Sequence, residues 1–432
     1  MFSLKVRGVF LVSALVLLLM LAHAPRACFA QEVGTDDDRA LAVDRALGVL
    51  RNVVGLNVDA YNWSIRAYGK GLFWDVLPKE FVGFNFWTDG SQLEAYVYFV
   101  DGKVRSISIY PHKGFPFMVQ TVQQAANEVE AAKGLLSRYQ AYCGATHVEA
   151  FKAVLGMVEA KTNTVKVYGN VKFEAEYTKT VDVQNRPLDI ARFVWIYTFN
   201  GALSSFKWVA INFENGYFRF LTDNWNFFEI GSYDVRVDEK KAVEIAVNAA
   251  KNYSTRVYMG RDAEGNEIWV EIRDFKVVGA KVLGLMFGNG LSKDEARGGD
   301  PLTEYPLWTV EVYFDDVYAG GVYGVWLNIW ADTGEVWRIF PLTGPLGSPP
   351  SDTVPIENGE SEGQAGGEEQ EPTTPDEDQE QEPTTPDDTS NSGTWLNLTQ
   401  TALIAIPITA GIALTTVKVY SKRKRKPIKG IT

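Results

Sequence analysis

The sequence has 432 residues, 46% of them hydrophobic and 13% aromatic, which is enough for two or three domains with packed cores. Its formal net charge of −12 disfavours nucleic acid as a partner, because binding to phosphates depends on basic side chains. Three histidines and two cysteines are too few for a Cys/His zinc cluster or a thiol protease centre. We therefore predict no cofactor and no metal site.

The N-terminus is typical of an export signal. Lys5 and Arg7 precede an uncharged run, residues 8–22, that is short for a membrane span, and Ala30 closes a cleavage motif. These features predict a signal peptide over residues 1–30, with an uncleaved anchor as the alternative. Removal of the signal takes Cys28 with it. Cys143 then lacks an intramolecular partner and is predicted to be a buried apolar residue, or else a free thiol.

Three β-ribbons stand out in the region that follows, and each turns on a glycine. Gly102, Gly216 and Gly334 are nearly equally spaced and lie between β-rich runs, a strong hairpin signal. The pattern predicts an α+β fold of tandem units, each an N-terminal helix followed by an antiparallel β-meander. We place the units at residues 31–112, 113–230 and 231–343.

Helix signals open each unit. In chain order, helix is predicted from Asp36, along the apolar stripe from Val119 to Tyr139, from Thr146 with a capping box to Glu149, and from Asp238. His112 follows a ribbon and His147 lies in the first turn of a helix, so we predict surface or capping roles for both. Residues 262–267 lack the spacing of a calcium loop and predict a hairpin turn instead.

The C-terminal part of the chain predicts a stalk and a membrane anchor. Residues 344–394 are acidic and rich in Pro and Thr, and this composition is typical of disorder. Residues 395–417 carry no charge and are long enough to cross a bilayer, and residues 418–432 are basic. This order predicts a single-pass protein of the cell membrane, with its N-terminal ectodomain outside and a cytoplasmic tail. Asn62 and Asn252 begin sequons and are glycosylation candidates.

The third ribbon concentrates aromatic residues on one face. Trp326, Asn328 and Trp330 alternate with apolar residues along one strand, and Trp337 lies on the next strand. Either a neighbouring unit covers this face, or it forms an aromatic groove for a ligand. These four residues are the candidate binding site.

The third unit, about residues 234–341, resembles a PepSY domain. The resemblance rests on Asp-Glu-Lys-Lys-Ala-Val-Glu-Ile-Ala at 238–246, Pro-Leu-Trp-Thr-Val-Glu-Val at 306–312 and Leu-Asn-Ile-Trp-Ala-Asp-Thr-Gly-Glu-Val at 327–336. A long insertion at about 253–304 departs from the family pattern, and the two earlier units are PepSY-like only by analogy. The resemblance implies a non-catalytic module that restrains or regulates peptidases near the cell surface.

These observations predict a surface-anchored protein that is not an enzyme. Its expected partners are exported proteins or peptides, with regulation or inhibition of exported peptidases as one form of that binding. A surface adhesin or glycan-binding protein that uses the tryptophan-rich face is the alternative. A carboxylate-dependent hydrolase is a third possibility, and its candidate residues are Asp89, Glu94, Glu271, Asp274, Glu311, Asp315 and Asp316.

Overall fold

The computed structural model describes residues 36–117, 125–182, 185–344 and 354–355. The predicted signal peptide, transmembrane helix and basic tail, with nearly all of the stalk, lie outside these residues. Among the residues that are described, no helix is both long enough and apolar enough to span a bilayer. The described residues belong to one compact unit, Met1–Gly359.

Short, capped helices alternate with long runs of strand. The helices are α1 (Asp36–Val49), α2 (Glu128–Cys143), α3 (Val148–Leu155) and α4 (Glu239–Lys251), and a π-helical turn, Leu50–Val54, extends α1. The predicted Asp238 cap is confirmed, because its side chain accepts a hydrogen bond of 2.7 Å from the Lys241 N–H. Asn127 caps α2 in the same way, accepting from the Glu130 N–H at 3.0 Å.

Most of the described chain is antiparallel strand, which confirms the α+β class. The strands are β1 (Asn62–Phe73), β2 (Leu77–Trp87), β3 (Gln92–Val100), β4 (Lys103–Lys113), β5 (Thr164–Tyr168), β6 (Val171–Val181), β7 (Pro187–Phe199), β8 (Ala202–Glu214), β9 (Tyr217–Asp223), β10 (Glu229–Ile230), β11 (Thr255–Arg261), β12 (Glu267–Ile272), β13 (Val277–Gly288), β14 (Thr303–Tyr318), β15 (Val322–Trp330), β16 (Val336–Thr343) and β17 (Val354–Pro355). The predicted ribbon turns are confirmed, since Gly102, Gly216 and Gly334 have φ of 72°, 79° and 77°.

The main sheet is continuous and forks at β8. One path runs β1-β2-β3-β4-β9-β8-β13-β14-β15-β16, and β7, β6 and β5 follow one another from the other side of β8. The C-terminal half of β8 pairs with β9, whereas Leu203 and Ser204 at its start pair in parallel with Met286 and Phe287 of β13. β13 and β9 therefore pair with different parts of β8, and the sheet divides there into two branches.

The two branches bury separate hydrophobic cores. One core extends from Ala42 to Leu221 and packs α1, α2 and α3 against the strands of the first two predicted units. The other extends from Val237 to Ile329 and packs α4 against β13, β14 and β15. The third predicted unit thus has its own core, while the first two share one.

Three local predictions need correction. The capping box at Thr146 does not form: His147 precedes α3 without capping it, and Glu149 pairs with Lys152 at 3.0 Å instead. The His147 side chain is 7% exposed and contacts the buried Asp223 carboxylate at 2.9 Å, so the predicted surface position is wrong. Cys143 is exposed rather than buried, because it is the last residue of α2, at the surface.

Candidate functional site

The hairpin β11–β12 pairs only with itself among the described strands and forms a separate two-stranded sheet. Its turn confirms the hairpin predicted at residues 262–267, with the Asp262 carboxylate accepting from the Asn266 N–H at 2.7 Å. An isolated two-stranded ribbon is marginally stable in water. The side chains that the hairpin exposes do not stabilise it by packing into a core, so we consider them as a contact surface.

One face of this hairpin carries an aromatic pair between charged pairs. Tyr258 lies opposite Trp269 with 5.4 Å between ring centroids, and their exposed fractions are 46% and 48%. The charged cross-strand pairs on either side are Arg256 with Glu271 and Arg261 with Glu267. A central Tyr/Trp cluster with a polar rim is the composition found at protein–protein hot spots.

The opposite face of the hairpin anchors it to the body. The Val257 side chain packs against Gly320, in the glycine turn after β14. The contact is so close that a Cβ atom at position 320 would lie 2.1 Å from Val257. Ile272 is buried at the hairpin base. Farther out on the same face, Ile268 and Val270 are exposed. The base is thus fixed, and both outer faces stay available for contact.

The predicted tryptophan site forms a stacked aromatic–guanidinium ladder. In order, its members are Tyr305, Arg297, Trp330, Trp337, Arg338, Phe340 and Trp326. Trp330 and Trp337 stack with centroids 4.9 Å apart, and Arg338 lies 4.2 Å above the Trp337 ring. Ion pairs fix both guanidinium groups, Arg297 with Asp332 at 2.8 Å and Arg338 with Glu295 at 2.5 Å.

This ladder buries most of the predicted binding residues. Trp326, Asn328 and Trp330 are 9%, 6% and 3% exposed, and Trp337 is half-buried. The Asn328 amide oxygen accepts from the Thr309 hydroxyl at 3.2 Å. Each cation–π contact contributes about 0.5–1 kcal/mol, so the stack stabilises the β15–β16 ribbon. Ligand binding by these four residues stays a prediction.

A buried polar cluster joins α2, α3 and β9. The Asp223 carboxylate accepts from the Tyr139 hydroxyl at 2.8 Å and contacts His147 Nε2 at 2.9 Å, and its other oxygen accepts from the Trp225 N–H at 2.8 Å. The His147 ring packs against Phe151 and Trp225. A histidine–carboxylate pair can act as a general base only where a substrate reaches it. Here the two side chains are 7% and 3% exposed.

The Cys143 thiol beside this cluster is poorly suited to nucleophilic chemistry. Cys143 lines a small cavity of about 30 Å³ with Tyr139 and Asp223, large enough for roughly one water molecule. Although Cys143 is exposed as a residue, partial burial of its sulfur and the Asp223 charge raise the pKa of the thiol to about 12. A protonated thiol is a weak nucleophile. We read this cluster as a link between α2, α3 and β9.

Glu304 lies at the fork, where β8 meets β13 and β14. It is fully buried, contacts the Ser204 hydroxyl and accepts from the Phe206 N–H at 3.0 Å. Burial raises the pKa of Glu304 to about 8, and the hydrogen bonds and the nearby Lys207 ammonium oppose that shift. Lys207 donates to the carbonyl oxygens of Trp225 and Phe228 at 2.8 and 2.7 Å. These contacts link the two branches of the sheet.

Four of the seven hydrolase candidates contact a nearby side chain. Glu94 contacts Arg66 and, at 3.0 Å, His112, and Glu271 pairs with Arg273 at 2.7 Å. The other contacts are Glu311 with the Tyr313 hydroxyl and Asp315 with the Tyr318 hydroxyl. None of these carboxylates shares the fully buried environment of Glu304. The glycosylation candidates Asn62 and Asn252 are both exposed, and their modification stays a prediction.

No family model matches the sequence, and no curated protein matches it. Among solved structures, the chain is similar to the Bacillus megaterium YpeB C-terminal domain, at 12% sequence identity and a TM-score of 0.28. The match covers 70% of this chain and 97% of that domain. A likeness at this level carries no conclusion about function.

The sequence contained a signal for the hairpin surface that we did not use. Tyr258 and Trp269 each lie in a short apolar run, one on each side of the predicted turn, with Arg256 and Glu271 two positions away. Aromatic residues in both strands of a hairpin favour a cross-strand pair. Its exposure could not be predicted, because it depends on the hairpin standing apart from the main sheet.

Proposed function

We propose that this chain is a surface-anchored, non-catalytic module that binds exported proteins or peptides and regulates exported peptidases. The observation that carries the proposal is the exposed Tyr258–Trp269 pair on a hairpin that pairs with no other described strand. Exposed apolar clusters with polar rims mark interaction sites, and large aromatic side chains contribute much of the binding energy at such sites.

Two further observations support a binding role. The His147 and Asp223 side chains are 7% and 3% exposed, and partial burial with the Asp223 charge raises the pKa of the Cys143 thiol beside them. The third unit also resembles PepSY domains, which implies a module without catalytic residues of its own. Sheet edges add a second means of contact, because Val165 and Val167 are exposed on the edge strand β5.

The alternative of a glycan-binding adhesin receives less support from the geometry. Sugar recognition by stacking needs an accessible ring face, whereas Trp326 and Trp330 are buried by their own ladder. A glycan array with the full-length protein distinguishes the two functions, since peptidase regulation predicts no specific glycan. Specific glycan binding lost in Trp337→Ala would favour the adhesin.

The proposal is tested with full-length protein in detergent micelles and a panel of exported peptidases from the same cell. Binding and peptidase activity are measured for the wild type, the double variant Tyr258→Ala/Trp269→Ala and the control Trp87→Ala. Trp87 is exposed to a similar degree but lies in β2. We expect saturable binding that the double variant weakens about tenfold or more and that the control retains. Absence of binding and inhibition across the panel rejects the regulatory function.

A further inference from the structure

The outer edge of β13 accepts a strand from beyond the folded region. Val354 pairs with Ala280, and Pro355 pairs with Gly279, in antiparallel register. These two residues belong to the stretch that composition predicts to be stalk. The strand that receives them, β13, is irregular at two places, between Val277 and Gly279 and between Val282 and Gly284, so its regular stretch here is residues 279–282.

Among the described strands, the fork leaves part of this edge unpaired. Beyond Gly284, β13 pairs with the start of β8 at Met286 and Phe287, so β8 closes one end of the edge. Within the described residues, β17 is the strand that covers the part before Gly284, and it pairs at two positions. The regular edge from Gly279 to Val282 is therefore longer than the two paired residues that occupy it.

We propose that the β13 edge is a strand-acceptor site for extended peptides, and that the segment around Val354–Pro355 occupies it in cis. The inference rests on the proposed binding function and names one of its sites. Pro355 has no backbone N–H to donate, which limits the length of the cis pairing. A partner segment able to pair along all of the edge would make more main-chain hydrogen bonds than the cis strand makes.

The chain length fits this cis arrangement. Ten residues, 344–353, connect β16 to β17, and a chain of this length reaches roughly 35 Å at most. In the sheet, β17 lies next to β13 and is four strand positions away from β16. At about 4.8 Å per position, the two strands are about 19 Å apart. A tethered strand of this kind has an effective concentration on the order of mM, so it competes with a partner without excluding it. Partner binding would release the root of the stalk.

A disulfide between Ala280→Cys and Val354→Cys tests the cis pairing in the full-length protein, with Cys28→Ser and Cys143→Ser as background. Directly opposed residues of antiparallel strands have the Cα separation that a disulfide requires. The control couples Ala280→Cys with Asn358→Cys, four residues out of register. We expect rapid intramolecular oxidation of the first pair only. Equal oxidation rates of the two pairs would overturn the cis assignment.

A fluorescent peptide with the sequence of residues 351–358 tests the acceptor site. We expect it to bind Val354→Gly/Pro355→Gly about tenfold or more tightly than the wild type, and to bind the oxidised, locked variant no better than background. Equal binding to all forms, or binding to none, would overturn the inference. If the peptide binds none of these forms but peptidases bind the wild type, the β13 site fails and the proposed function stands. If the peptide binds as expected but no exported protein does, the proposed function fails alone.

Discussion

Single residues in this protein show how burial decides what a reactive group can do. His147 and Asp223 form a pair that would suit acid–base chemistry in an open cleft, but here both side chains are buried, and Phe151 and Trp225 pack against the His147 ring. Glu304 is buried at the fork and accepts hydrogen bonds from β8. A buried carboxyl of this kind makes stability depend on pH, because its ionised form loses hydration.

The Glu304 environment predicts a stability that falls as pH rises. The pKa is raised from 4.5 to about 8 in the folded state, so the folded protein binds more protons than the unfolded chain between these values. The free energy of unfolding should therefore decrease by a few kcal/mol between about pH 4.5 and pH 8 from this residue alone. Glu304→Gln should remove that slope. Urea unfolding across this range measures it, with Glu130→Gln as the exposed control; an unchanged slope in Glu304→Gln would contradict the assignment.

Cys143 should react slowly despite its exposure. Partial burial and Asp223 raise the pKa of its thiol to about 12, roughly three units above a free cysteine, so the thiolate fraction at neutral pH is about a thousandfold lower. Alkylation by iodoacetamide, followed by mass spectrometry at pH 7.5, measures the rate. Asp223→Asn should accelerate it by removing the charge. Labelling of the wild type at the rate of a free thiol would be inconsistent with this environment.

At the scale of elements, packing separates ribbons that support the fold from those that present a surface. The β15–β16 ribbon carries the tryptophans of the predicted binding site. Stacking with one another and with arginine side chains leaves Trp326 and Trp330 buried. The β11–β12 hairpin has fewer aromatic residues, and these are exposed because the hairpin stands outside the main sheet. Exposure therefore favours the β11–β12 hairpin as the binding element.

The two ribbons should respond differently to alanine. Replacing Tyr258 and Trp269 removes exposed rings and should change the free energy of unfolding by less than about 1 kcal/mol. Replacing Trp330 removes a buried ring at the centre of the ladder and should cost about 3–5 kcal/mol. Urea unfolding of the two variants gives the comparison. A large loss of stability in the hairpin variant, with little loss in Trp330→Ala, would reverse the roles assigned here.

At the scale of the whole molecule, local signals could predict elements but not their long-range pairing. The glycine turns, the Asp238 cap and the hairpin at residues 262–267 follow from neighbouring residue types, and the structure confirms them. The parallel contact of Ser204 with Phe287 and the return of Val354 to β13 join distant segments. Hydrophobic periodicity does not encode partners of this kind. The burial of the tryptophan face depends likewise on Arg297 and Arg338 from separate elements.

We propose that the exposed β11–β12 hairpin binds an exported partner without catalysis. Hydrogen–deuterium exchange of the full-length protein, with and without a bound peptidase, tests it most directly, because it maps where backbone amides become protected. We expect new protection of the backbone amides of Thr255–Arg261 and Glu267–Ile272, and little change in the exchange of Asp223 and His147. Protection confined to the strands β15 and β16, or no protection in a saturated complex, would contradict it.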